Sequence, residues 1–161
     1  MRTRAVFKGG SEMSSAPSIQ KLEHWTLVTS DVERTKRFYT DVLGAKLPDR
    51  SGNGPVSVDL AGTLIDFFPA GDRQQPQPGS NGQHHAYIIK LEDYDPWVEH
   101  LRGRDVPFRM TTHGLGRMSI YVDDPDGYHI ELTVPFANTD IGRHEIEKRG
   151  LLAEAERRRG A

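Results

Sequence analysis

The chain contains no cysteine among its 161 residues. That excludes disulfides, thiolate metal ligands and a thiol nucleophile of its own, and it agrees with a cytoplasmic location. Long apolar runs are also missing. None approaches membrane-spanning length, and the N-terminus lacks the apolar core of a signal peptide. No charge of one sign dominates: 21 Lys and Arg against 23 Asp and Glu give a net charge of −2. Neither nucleic acid nor an anionic membrane is therefore expected as a partner. What is present, 35% hydrophobic and 27% charged residues, suffices for one ordinary globular domain with a core.

Residues 1–18 are polar, small and basic, and read as a loose tail. Order is expected from Ile19. Leu22 to Thr29 is β-rich. Ser30 and Glu33 have capping-box spacing. Phe38, Tyr39, Val42 and Leu43 follow at helical spacing, with Gly44 as the stop. Strand-like pieces follow around Ala45–Arg50, Pro55–Leu60 and Thr63–Pro69, and then a linker over 71–82 rich in Gly and Pro. The order then repeats. His84 to Leu91 reads as a strand, and Asp95 with Pro96 reads as a helix start. Strands follow near Val106–Thr111, Met118–Val122 and Tyr128–Pro135. Residues 137–161 read as a charged helical tail broken near Gly150.

The chain thus holds a diverged duplication of one pattern: strand, helix, three strands. The modules span 19–70 and 83–136, in one domain over 19–136. His24 and His84 occupy the same place in the two copies. Asp66, four residues after Gly62, matches Glu131, four residues after Gly127. Tyr121 and Glu131 flank the turn Asp124-Pro125-Asp126-Gly127, and His113 lies just upstream. Such a hairpin can hold a carboxylate ligand beside a phenol and an imidazole.

These residues resemble the vicinal oxygen chelate superfamily, whose members include glyoxalase I, fosfomycin-resistance enzymes, bleomycin-binding proteins and extradiol dioxygenases. The similarity covers about residues 20–136. It rests on His24-Trp-Thr-Leu, Phe38-Tyr39-x-x-Val42-Leu43-Gly44, His84-His-Ala-Tyr and the final hairpin. The resemblance implies an α+β fold: two βαβββ modules forming a half-open barrel around a metal cleft, plus a C-terminal helix. His113, Tyr121, Asp124-Pro125, Gly127 and Glu131 are most similar to the extradiol ring-cleavage signature. That likeness implies a dioxygenase that opens an aromatic diol with O₂.

On this resemblance His24, His84 and Glu131 are the expected metal ligands. Two imidazoles and one carboxylate leave positions open and suit Fe(II), with Mn(II), Ni(II) or Zn(II) as other candidates. His113 and Tyr121 are the expected acid–base groups. His85 points opposite to His84 on its strand, so one of the two faces the metal, and His84 is favoured. Asp66 is either a fourth ligand, which suits glyoxalase- or epimerase-like proton transfer, or a structural carboxylate. A bleomycin- or fosfomycin-resistance protein is the remaining alternative. A homodimer is expected from exposed sheet edges.

Overall fold

The computed structural model describes residues 18–49, 54–72, 75–78 and 83–159. Most of the expected N-terminal tail, residues 1–17, lies outside the described residues, as does part of the linker.

The first module runs β1 (His24–Thr29), α1 (Val32–Arg37), β2 (Val56–Leu60) and β3 (Thr63–Pro69). Its sheet has the order β1-β3-β2, with β1 parallel to β3. Where the sequence suggested a strand at 45–50, among the described residues 45–49 only Lys46 pairs, with Asp59. Asp31 rather than Ser30 caps α1, accepting from the Arg34 amide at 2.9 Å. The reason is visible nearby: the Ser30 hydroxyl is already committed to Asp126, at 2.5 Å. After α1 the chain widens into a π-helical turn over Phe38–Val42 and leaves through Gly44 at φ +73°. That left-handed exit is open to glycine without penalty.

The second module runs β4 (His85–Ile88), α2 (Tyr94–Arg102), β5 (Phe108–Thr112), β6 (Arg117–Asp123) and β7 (His129–Pro135), in the sheet order β4-β7-β6-β5. Helix α2 begins at Tyr94, continuing a short 3₁₀ turn over Leu91–Asp93, so Asp95 and Pro96 lie inside its first turn and do not cap it. Proline costs nothing there, because first-turn amides have no intrahelical acceptor.

The duplication shows in the strand registers. His24 stands two residues before Thr26, which pairs with Asp66; His84 stands two residues before Ala86, which pairs with Glu131. Strand alternation sends one face of each sheet inward. Ile65, Phe67, Ile120, Val122, Ile130 and Leu132 share one hydrophobic core with Tyr39 and Tyr94. Burying each such side chain contributes about 1.5–3 kcal/mol. The opposite faces carry the polar rows.

The modules are clasped at the β6–β7 turn. Asp126 accepts from the Thr29 and Ser30 hydroxyls at 2.6 and 2.5 Å, and the Tyr128 hydroxyl donates to the Val28 carbonyl at 2.9 Å. Trp25 stacks on His85 with 3.7 Å between ring centroids. The C-terminal tail forms α3 (Thr139–Lys148) and α4 (Leu152–Arg159), broken at Gly150 as the sequence suggested. Arg149 bridges to Asp95 at 2.8 and 2.9 Å and to Glu145 at 2.6 Å. Gly142 lets α3 lie against the Leu115 carbonyl, where a Cβ would stand only 1.9 Å from the oxygen.

Candidate metal centre

Strand alternation places Arg109, Tyr121 and Glu131 in one row across β5, β6 and β7. Arg109 pairs with Tyr121, and Tyr121 pairs with Glu131. The next row toward the C-terminal helices is Thr111, Ser119 and Thr133. His84 approaches from the start of β4, whose first pairs align with β7.

Glu131 is the centre of the arrangement. Its side chain is 2% exposed, with His84 Nε2 at 2.8 Å from one oxygen and His113 Nε2 at 3.4 Å from the other. Ser119 donates its hydroxyl to the second oxygen at 2.5 Å and lies 3.0 Å from the Thr133 hydroxyl. Burial pushes the Glu131 carboxyl up. The Ser119 and Tyr121 hydroxyls and the His84 and His113 imidazoles more than offset this, holding it below its ordinary value. A buried carboxylate kept ionised by donors and imidazoles has the character of a metal ligand.

Tyr121 stands with its hydroxyl 3.3 Å from His113 Nε2, and the Arg109 guanidinium lies 4.7 Å from its ring centroid. Burial, then the Glu131 charge, raises the Tyr121 hydroxyl above its ordinary range, so the phenol keeps its proton at neutral pH. A cavity of about 330 Å³ opens here, lined by His84, Arg109, Tyr121, Asp123 and His129 among others.

The structure therefore brings together His84, Glu131, His113 and Tyr121. It does not bring His24 to them. His24 is half exposed on β1 and hydrogen-bonded to the adjacent Glu23 carboxylate. Among the described residues no three His, Asp or Glu side chains are arranged to enclose an ion. His24, expected to join His84 and Glu131 on one divalent ion, stands on β1 beside Glu23. The Trp25–His85 stack and the Asp126 clasp join the two modules. The stack also settles which histidine faces which way: His85 packs on Trp25, and His84 faces Glu131. Asp66, 8% exposed, accepts from the Ser57 hydroxyl at 2.6 Å in the other sheet.

Ser119, Arg109 and Thr133 were not singled out from the sequence. The signal existed for Ser119 and Thr133. Each lies two residues from a named site residue on the same strand, and period two puts both on the site face. Arg109 needed the β5–β6 register, which sequence spacing alone does not supply.

Residues 21–132 match the family model described as the glyoxalase/bleomycin resistance protein/dioxygenase superfamily. The chain belongs to that superfamily. It is 30% identical over 117 residues to "Glutathione transferase FosA" of Serratia marcescens, covering 72% of this chain and 82% of that protein. It is 28% identical over 132 residues to "Metallothiol transferase FosB" of Staphylococcus saprophyticus, covering 81% and 87%. The crystal structure of the fosfomycin resistance protein FosX from Listeria monocytogenes superposes with a TM-score of 0.62, at 24% identity, over 77% of this chain and 98% of that one. The vicinal oxygen chelate fold expected from the sequence is thus present. The narrower likeness to extradiol ring-cleaving enzymes finds no support in these relatives.

Proposed function

We propose that this chain is a divalent-metal-dependent enzyme that adds a nucleophile, a thiol or water, to a small anionic substrate of the fosfomycin type. The observation that carries this reading is the buried Glu131 carboxylate held between His84 and His113, beside Tyr121 and Arg109. Two relatives are named as a glutathione transferase and a metallothiol transferase and another as a fosfomycin resistance protein, which supports the class of reaction. An aromatic diol with O₂, and Fe(II) in particular, loses its main support with the ring-cleavage likeness.

The donor set fits a divalent cation. Ligands about 2.0–2.2 Å from one ion stand roughly 3 Å apart, and Glu131 and His84 are already 2.8 Å apart. One carboxylate with imidazoles suits Mn(II), Fe(II), Ni(II) or Zn(II). His84 and Glu131 would hold the ion, and its chemistry there would be Lewis-acid polarisation of a substrate oxygen. The third ligand is His24 from a second copy. Three features support this: His24 is exposed, it has the register relation to Asp66 that His84 has to Glu131, and β1 and β4 are both edge strands. A twofold dimer would place each half-site against its counterpart.

The chain's own groups have defined tasks. Tyr121, protonated at neutral pH, donates a hydrogen bond to the oxygen that gains charge as the carbon–oxygen bond opens. His113, against the Tyr121 hydroxyl, orients that donor. Arg109 offers its guanidinium to the anionic end of the substrate.

The test is to load the protein separately with Mn(II), Zn(II), Ni(II) and Fe(II). It is then incubated with fosfomycin and glutathione, cysteine or water alone, and followed by phosphorus NMR. A new metal-dependent phosphonate resonance is expected. No product under any pairing, together with oxygen-dependent cleavage of a catechol by the iron-loaded protein, would return the reading to ring cleavage.

A further inference from the structure

Helix α2 buries Tyr94, Val98 and Leu101 in the core. Its outer side carries Asp93, Trp97 and His100, which follow one another by four and three residues and so form one stripe. With Pro96 they line a cavity of about 250 Å³. None of these four residues lines the cavity beside Glu131.

The walls are mostly rings. Trp97 is half-buried and meets His100 edge to face, with 5.3 Å between centroids and 78° between planes. His100 is held at both nitrogens. Its Nε2 lies 2.9 Å from the Val42 carbonyl of the π-helical turn, and its Nδ1 lies 3.1 Å from the Arg104 guanidinium. An imidazole between a carbonyl and a guanidinium donates through one nitrogen and accepts through the other, which is the arrangement of the neutral ring. It therefore gives the cavity ring surface and no charge. Arg104 is not among the lining residues.

Asp93 supplies the one carboxylate of the lining. It occupies the N-cap position of α2, yet its side chain makes no capping bond. The neighbouring acids are engaged: Glu92 with Lys90, Asp95 with Arg149 and Glu99 with Arg102. Among the described residues no lysine or arginine pairs with Asp93. A carboxylate without a cation thus stands one helical turn from an indole, over a concave apolar wall.

We propose that this cavity binds a small molecule through a trimethylammonium group, with the Trp97 ring as its platform and Asp93 as its counter-charge. A cation over an indole is attracted by the negative face of the ring, and quaternary ammonium groups are recognised in this way. A primary ammonium would leave N–H donors unpaired against proline and aromatic walls. Methyl groups require no acceptor and bury apolar surface. The volume is below the roughly 300–1,000 Å³ of sites for drug-sized ligands, which suits a head group rather than a large molecule. Binding here needs neither metal nor turnover at Glu131.

The experiment is a titration of tetramethylammonium and of choline into the full-length chain at constant ionic strength. NMR follows the Trp97 indole N–H and the backbone amides from Trp97 to His100. Dimethylbutanol, the neutral carbon analogue of choline, and ethanolamine, its unmethylated form, are the controls. Saturable shifts at Trp97 are expected with both quaternary ions, while the Trp25 indole, stacked on His85, stays unmoved. The neutral alcohol should cause none, and ethanolamine should bind more weakly than choline. Trp97→Leu should weaken choline binding about tenfold, and Trp97→Phe should recover part of that loss. Asp93→Asn, at an exposed position, should weaken it about threefold with an unchanged melting curve. No saturable shift with either quaternary ion, equal shifts with the neutral alcohol, ethanolamine binding as tightly as choline, or unchanged affinity in Trp97→Leu would overturn the site.

Discussion

Replacing Ser119 by alanine removes one hydroxyl from beneath Glu131. Ser119 is fully buried and donates to the carboxylate at 2.5 Å. No water replaces that donor without opening the sheet face, so the carboxylate keeps its burial and loses a principal compensation. Hydrogen bonds to charged groups are worth about 1.5–3 kcal/mol. At about 2–4 °C per kcal/mol for a domain of this size, the melting temperature should fall by roughly 3–12 °C at pH 7.

The sign with pH follows from the depressed carboxyl. Stability from Glu131 is present above its ordinary value of 4.5 and is lost as pH falls through the lower folded value. The gap between wild type and Ser119→Ala should therefore be full at pH 7 and narrow as the pH falls below 4.5. Urea unfolding at a series of pH values measures it. A gap under about 0.5 kcal/mol at pH 7, or one that widens as the pH falls below 4.5, would refute the reasoning.

Asp124 behaves oppositely. Burial pushes its carboxyl up to about 6, despite amide donors from Tyr128, Asp126 and Gly127. The gap above its ordinary 3.8 corresponds to about 3 kcal/mol of destabilisation at pH 7. Among the described residues one Asp124 oxygen and the Tyr39 hydroxyl are buried without a hydrogen bond of good geometry, and burial and then the Asp124 charge raise the Tyr39 hydroxyl well above its ordinary value. Asp124→Asn should raise stability at pH 7 by about 1–3 kcal/mol and flatten the decline that wild type shows between pH 4 and 6; thermal melts across that range are the check. Gly142→Ala drives a Cβ into the Leu115 carbonyl and should cost about 1–3 kcal/mol or more, with loss of amide protection in α3 seen by hydrogen exchange. Tyr121→Phe should lower turnover about 10²–10⁴-fold with bound metal unchanged, as read by parallel kinetics and elemental analysis.

The sequence carried much of the fold because its signals are local. Alternating apolar residues in Arg117–Asp123 and His129–Pro135, joined by Asp-Pro-Asp-Gly, specify a hairpin and the face that each side chain takes. The shared face of Tyr121 and Glu131 was legible on that basis. Helix starts were less so, because long-range bonds compete for the capping side chains: Ser30 is taken by Asp126 across the module boundary. The fate of His24 was not legible at all. Period two gives the face of β1 on which it lies, but how one module sits against the other depends on Trp25–His85 stacking and the Asp126 clasp. The reach of α4 onto β5, where the Thr111 hydroxyl donates to the Glu154 carboxylate, was hidden for the same reason, since a charged tail shows in sequence only that it can be helical.

The central claim, one metal held by His84 and Glu131 of one copy with His24 of another, is tested most directly by mixing two inactive variants. His24→Ala and Glu131→Ala should each bind no metal alone. Co-refolded in equal amounts, they should regain roughly one ion per four chains, because half of the dimers then carry one intact site. No recovered metal in the mixture, or full metal content in His24→Ala alone, would contradict the shared site.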